Sequence, residues 1–196
     1  MIEKKEIQAT ISNEEEETET TEEEFFNMLR IIAPGTNLRT GLNGALKAGK
    51  GALIAIENEK VTPLIDGGFR INARFTPQRL IELTKMDGAI ILSKDMKKIN
   101  YANVLLTPDN KIKSLETGTR HKAAERTAKQ TGTLVIAISE RKHEINLYYR
   151  KIKYPLASTD ELLRKTSENI QILERQREMF DKHVEKLTNQ ELRNQQ

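Results

Sequence analysis

The spacing of apolar residues changes along the chain, and each change marks a different kind of element. Residues 12–24 carry no apolar side chain: Ser-Asn is followed by glutamates broken only by threonines. Such a stretch has nothing to bury, so it reads as a disordered or frayed part of an acidic leader over 1–24, or as a solvated first turn of the next helix. Apolar residues resume at Phe25-Phe26-Asn27-Met28-Leu29-Arg30-Ile31-Ile32, which fits an amphipathic helix stopped before Pro34. Thr36 is placed to cap a second helix running to about Lys47, with Leu38, Leu42, Ala45 and Leu46 on one stripe.

From Gly51 the apolar runs shorten. Ala52–Ile56 and Val61–Ile65 flank Glu57-Asn58-Glu59-Lys60 and read as a strand pair joined by a turn. Thr76-Pro77 is an N-cap followed by proline at the first helical position, predicting a helix to about Lys85. Ala89–Ser93 reads as a buried strand, Lys98–Leu105 as another, and Thr117–Gln130 as a helix closed by Gly132. Leu134–Ile138 is almost wholly apolar, as a central strand covered on both faces would be, and Glu144–Tyr149 alternates as its hairpin partner. Short strands alternating with helices of about ten residues predict an α/β fold with a mixed central β-sheet flanked by helices.

Ser158-Thr159-Asp160-Glu161 has capping-box spacing and opens a long C-terminal helix. Its stripe of Leu163, Thr166, Ile170, Leu173, Arg177, Phe180, Val184 and Leu187 fits docking on its own domain, fraying past Thr188, or contact with a helix of another subunit. The expected organisation is therefore the leader, one domain over 25–155, and a helical extension over 156–196.

Composition narrows the function classes. Residues 1–24 hold ten acids and two bases, leaving 30 bases and 19 acids in 25–196, a net of +11. A basic folded part suits polyphosphate ligands or nucleic acid. Cysteine is absent, which excludes disulfides and thiolate chemistry. No apolar run approaches a membrane span and no signal-peptide core is visible, so a cytoplasmic protein is expected. His143 and His183 have no ligand-spaced partner for zinc, and no Gly-x-Ser-x-Gly pattern suggests acyl transfer.

One motif is a decoy. Gly44-x4-Gly49-Lys50-Gly51 nearly spells a phosphate-binding P-loop, but Gly51 stands where a magnesium-ligating Ser or Thr belongs, and the segment leads from helix into strand, the reverse of the required order. A helix C-terminal glycine turn accounts for it.

Two other segments carry candidate chemistry. Lys85-Met86-Asp87-Gly88-Ala89 puts a carboxylate on a turn before an apolar strand, either a turn aspartate or a metal ligand. Glu116-Thr117-Gly118-Thr119-Arg120-His121-Lys122-Ala123-Ala124-Glu125-Arg126 sets small residues and three cations at a helix start, where free N–H groups and the macrodipole favour anions. Basic residues there can simply be solvated, although they oppose the dipole and so ask for a compensating anion. With their flanks, over about 25–187, these segments resemble the diadenylate cyclase domain of the bacterial and archaeal DNA-integrity scanning proteins.

The resemblance implies that domain's fold, with a long C-terminal helix, and the condensation of two ATP into cyclic di-AMP and two pyrophosphates with Mg²⁺ or Mn²⁺. It implies that Asp87 is catalytic and a metal ligand, activating the ribose 3′-hydroxyl, with Glu140 as second carboxylate for the metal. It assigns ATP contacts to Asp66, Gly88, Ala89, Leu106, Thr119, Arg120, His121, Lys122 and Ser139. A two-fold symmetric product implies a homo-oligomer with facing active sites. DNA binding is not expected, because the helix-hairpin-helix region of the full-length scanning proteins is missing. Two departures stand out: Lys122 replaces the usual third arginine of Arg-His-Arg, losing its fork, and Ala123 replaces a common threonine. They motivate an alternative, a catalytically weak or inactive nucleotide or cyclic-dinucleotide binding module.

Overall fold

The computed structural model describes residues 23–194, so the expected leader lies outside the described residues up to position 22. Residues 23 and 24 are already helical, the start of α1 over 23–31, which moves the leader's predicted boundary. The reason is a specific anchor: the Glu24 carboxylate accepts from the Tyr149 hydroxyl at 2.6 Å and from the Arg150 guanidinium at 3.1 Å.

The order continues α2 (Asn37–Lys47), β1 (Ala52–Ile56), β2 (Ile65–Asp66), β3 (Phe69–Arg74), α3 (Pro77–Leu83), β4 (Ala89–Leu92), β5 (Lys98–Leu106), α4 (Thr119–Thr131), β6 (Leu134–Ser139), β7 (Glu144–Tyr149), β8 (Ile152–Leu156) and α5 (Thr159–Asn194). The eight strands form one sheet ordered β2-β5-β4-β1-β6-β7-β8, with β3 also paired to β5. Only β1 and β4 are parallel; every other pair is antiparallel.

Side-chain alternation divides the core between the two faces of this sheet. Ile54, Ile90, Ile136 and Leu147 point to one face, where Leu38 and Leu42 of α2 and Leu80 of α3 join them. Leu53, Ala55, Ala89, Ile91, Val135 and Ala137 point to the other, covered by Ala124 and Ala128 of α4. Alanines at the contact let α4 lie close to the sheet. The predicted caps are present: Thr36 and Thr76 accept from the N–H groups of Arg39 and Arg79, each at 3.2 Å.

The predicted strand pair at 52–65 is half wrong. β1 forms as expected, but its neighbours are β4 and β6. The second run instead becomes a 3₁₀ turn over Thr62–Leu64 followed by β2, which pairs with β5. Asn58 causes this, because its Oδ1 accepts from the N–H groups of Lys60 and Val61 and turns the chain away, while Pro63 has no N–H to give a ladder. Two further strands, β3 and β8, were not anticipated.

Compact units divide at Leu156 and Ala157. In the second unit, α5 opens with Ser158 Oγ accepting from the Glu161 N–H at 3.1 Å and is helical through Asn194. Leu163, Ile170, Leu173, Phe180, Val184 and Leu187 are exposed along it. Among the described residues, no helix is long and apolar enough to cross a membrane.

Candidate nucleotide-binding cleft

A cleft of about 760 Å³ opens where the N-terminal ends of β1, β4 and β7 meet the C-terminal ends of β5 and β6. Leu53, Ala89, Val104 and Leu106 supply an apolar floor, and the N-terminus of α4 with the loop before it forms one wall. Glu116, Thr117, Gly118, Thr119, Arg120, His121 and Ala123 line that wall, while Ser139, Glu140, Arg141 and Lys142 line the opposite one. The cleft thus gathers more cationic than anionic side chains beside free helix N–H groups, a setting for a polyanion.

The wall loop is held in place by the helix it precedes. Ser114 Oγ and the Leu115 N–H both bond to the Glu125 carboxylate, Arg126 Nε donates to the Ile112 carbonyl at 2.9 Å, and Lys129 Nζ to the Lys113 carbonyl at 3.0 Å. Glu125 itself is paired with Lys129 at 2.6 Å.

A turn with a strict geometric demand presents Asp87. Gly88 sits at φ +87°, and a Cβ there would lie 2.8 Å from the Asn103 carbonyl carbon and 2.9 Å from the Val104 carbonyl oxygen. Glycine at 88 is therefore required by contact with β5, whatever binds beside it. Gly88 lines the cleft; Asp87, one residue earlier, is exposed and does not.

Of the remaining sequence-predicted residues, Ala89, Leu106, Thr119, Arg120, His121, Ser139 and Glu140 line the same cleft. Asp66 and Lys122 do not. Asp66 is an exposed strand residue paired with Leu105, and Lys122, half-buried in the first turn of α4, lies between the two positions, His121 and Ala123, that face the cleft.

A relay that sequence reasoning missed fixes His121. The Tyr148 hydroxyl donates to Glu116 Oε1 at 2.9 Å, so its oxygen is left to accept from His121 Nδ1–H at 3.0 Å. Lys153 of β8 pairs with the same Glu116 oxygen. Burial alone would raise the Glu116 carboxyl, but the hydrogen bonds from Lys153 and Tyr148 outweigh it and hold it below the usual range. Burial, then bonding to Glu116, pushes the Tyr148 hydroxyl far above its ordinary value, so it remains a donor. His121 is lowered, first by burial and then by Lys153, Arg120 and Lys142, with Glu116 opposing. Of these partners only Glu116 belonged to the motif; Tyr148 reads as core, and Lys153 lies on an unanticipated strand.

Asp87 and Glu140 have no hydrogen-bond or ion-pair partner among the described residues, unlike Glu116 and Glu125. No group of three or more His, Cys, Asp or Glu side chains suited to a metal occurs among the described residues. In nucleotide enzymes protein supplies Mg²⁺ or Mn²⁺ with only one or two carboxylates, and phosphate oxygens and water the rest, so a single unpartnered carboxylate such as Asp87 or Glu140 has the donor chemistry such an ion takes.

Residues 39–152 match the family model for the DisA bacterial checkpoint controller nucleotide-binding domain, known as DAC. The DNA integrity scanning protein DisA of Acetivibrio thermocellus is 53% identical over 155 residues, covering 79% of this chain and 43% of that protein. Its counterpart in Bacillus subtilis is 51% identical over 162 residues, covering 82% and 45%. The chain thus spans less than half the length of these relatives. Among solved structures, a hypothetical membrane spanning protein from Bacillus cereus superposes with TM-score 0.54 at 26% identity over 62% of each chain. A double mutant of DacA from Staphylococcus aureus superposes with TM-score 0.51 at 23% identity, covering 66% of this chain and 92% of that one.

Proposed function

This chain belongs to the DAC family of DisA-type nucleotide-binding domains, a diadenylate cyclase family, and from that premise we propose that it condenses two ATP into cyclic di-AMP and two pyrophosphates. The observation that supports this most directly is one cleft joining the Gly88-Ala89 turn, which carries Asp87, to the N-terminus of α4 with its arginine and histidine. Adenine fits the apolar floor, and the triphosphate fits the helix N-terminus. Asp87 and Glu140 are the residues that would hold Mg²⁺ or Mn²⁺, an ion that lowers the pKa of the 3′-hydroxyl and neutralises charge on the departing pyrophosphate. Catalysis is otherwise positioning: the 3′-oxygen of one nucleotide must stand in line behind the α-phosphorus of the other.

The test is incubation of pure protein with ATP and Mn²⁺ or Mg²⁺, with product identified by mass spectrometry. Cyclic di-AMP and two pyrophosphates per product are expected. ATP binding without product would favour a nucleotide-binding module, a reading supported by Ala123, which faces the cleft without the hydroxyl usual in the resembled family.

The His121 relay gives a pH signature. With Nδ1–H donated to Tyr148, Nε2 of a neutral imidazole carries a lone pair, which repels a phosphate oxygen. Binding to phosphate through Nε2 therefore requires the imidazolium, and the triphosphate raises a pKa that the free protein holds below the ordinary value of about 6.5. A base with a lowered folded pKa destabilises the free protein as pH falls below its unfolded value. With ATP bound the sign reverses, and affinity rises as pH falls through the window between free and bound pKa values. Calorimetry in buffers of different ionisation heat should record proton uptake near pH 6.5 that His121→Gln abolishes. Equal uptake by both proteins would remove His121 from phosphate recognition.

A further inference from the structure

We propose that Gly51, the residue that spoils the P-loop imitation, is a positioning residue for phosphate: its bare Cα is the seat on which the Arg120 guanidinium rests. The inference builds on the nucleotide-binding reading above.

Gly51 has no backbone reason to be glycine. Its neighbour Gly49 sits at φ +63°, but Gly51 is not among the positive-φ residues, so alanine could adopt its conformation. What excludes a side chain is one group from sixty-nine residues away. A Cβ on Gly51 would lie 2.1 Å from Arg120 Nη1, 2.8 Å from Cζ and 3.1 Å from Nη2. The three nearest atoms all belong to the guanidinium, the far end of a flexible side chain, and none is main chain. The fold can therefore accept alanine at 51, whereas Arg120 cannot keep its place.

Among the described residues, no hydrogen bond or ion pair holds that guanidinium. Arg120 lines the cleft and is exposed. A guanidinium packed by its Nη1 end against a bare glycine Cα at the entry to β1 is placed without using up its donors on a protein acceptor, which reduces the ordering cost when phosphate arrives. The contact joins two segments that the sequence separates, the α2–β1 turn and the first turn of α4. Gly51 thus acts on the ligand through Arg120 and touches no phosphate itself.

The test compares the wild type with Gly51→Ala, Arg120→Ala and the double variant, titrating each calorimetrically with ATP and with inorganic tripolyphosphate, which needs no adenine site. Gly51→Ala should keep the wild-type melting temperature yet weaken both ligands by about tenfold or more, the scale of a lost charge-assisted contact. The double variant should bind no worse than Arg120→Ala alone, because the two changes remove one interaction. In ligand-free protein, the Arg120 Nε–H cross-peak, identified by its loss in Arg120→Ala, should move in Gly51→Ala. An unmoved cross-peak overturns the seat; a moved one with affinities within about twofold of wild type overturns its role toward phosphate. Wild-type protein that binds neither ligand overturns this inference together with the cyclase reading. Binding of both without cyclic di-AMP overturns the cyclase reading alone.

Discussion

Asp87→Asn should lower the rate of cyclic di-AMP formation by orders of magnitude while leaving the melting temperature almost unchanged. The two halves of that expectation have separate physical origins. Asparagine keeps the size and shape of the side chain but removes the negative charge with which Asp87 would hold a divalent cation, so on the proposed reading activation of the 3′-hydroxyl and charge compensation at pyrophosphate would be lost together. Stability is spared because Asp87 is exposed and has no partner among the described residues, and a substitution of that kind usually lies within about 0.5 kcal/mol of neutral. The Gly88 turn that aims position 87 is untouched, since its constraint comes from the Asn103 and Val104 backbone. Steady-state turnover and a thermal melt on the same preparation check both halves. Retention of more than about a tenth of the wild-type rate, roughly 1.4 kcal/mol of barrier, would remove Asp87 from the catalytic role. A large drop in melting temperature would instead identify a structural aspartate.

Sequence legibility followed burial and range. β4 and β6 were legible because both faces are covered and their apolar runs are unbroken, Ala89–Leu92 and Leu134–Ile138. β3, by contrast, reads Phe-Arg-Ile-Asn-Ala-Arg; none of its six residues is buried, and its register with β5 shifts between Arg70 and Ala73. Its partner makes it a strand, and no local pattern announces that. β8 hides for a related reason, with Pro155 inside it, which an edge strand tolerates and a central one does not.

The candidate site divides in the same way. Asp87, Gly88, Arg120 and His121 sit in contiguous motifs, and a motif survives in one dimension. The Tyr148–Glu116–Lys153 relay and the Gly51 seat depend on β7, β8 and the α2–β1 turn arriving at one end of the sheet, which periodicity cannot report. Lys122 shows the converse limit. Motif spacing gave it equal standing with its neighbours, yet a helix turns about 100° per residue, and the cleft is lined by His121 and Ala123 but not by Lys122.

Specific rate should fall as the protein is diluted, because a cyclic dinucleotide with two equivalent linkages needs two nucleotides held face to face. Each chain brings to the cyclase reading one nucleotide cleft built at the α4 N-terminus, and that cleft is open, so on that reading a lone subunit would bind ATP but have no second 3′-hydroxyl directed at its α-phosphorus. Apolar groups around the mouth support a second copy as the closing element: Leu105 lines the cleft yet is 61% exposed, and Leu115, in the wall loop fixed by Glu125, is 94% exposed. A leucine held out into water on an anchored loop stabilises nothing in the monomer, whereas burying one against a partner contributes about 1.5–3 kcal/mol. Leu115→Lys should therefore raise the concentration for half-maximal specific rate on the order of tenfold or more, with ATP affinity per subunit unchanged. Sedimentation velocity across the same dilution series supplies the mass against which the rates are plotted. The two curves should coincide, and both should shift together in Leu115→Lys. A sedimenting monomer that makes cyclic di-AMP at full specific rate would sink the facing-sites mechanism. A dilution curve that Leu115→Lys leaves in place would move the interface away from the cleft mouth.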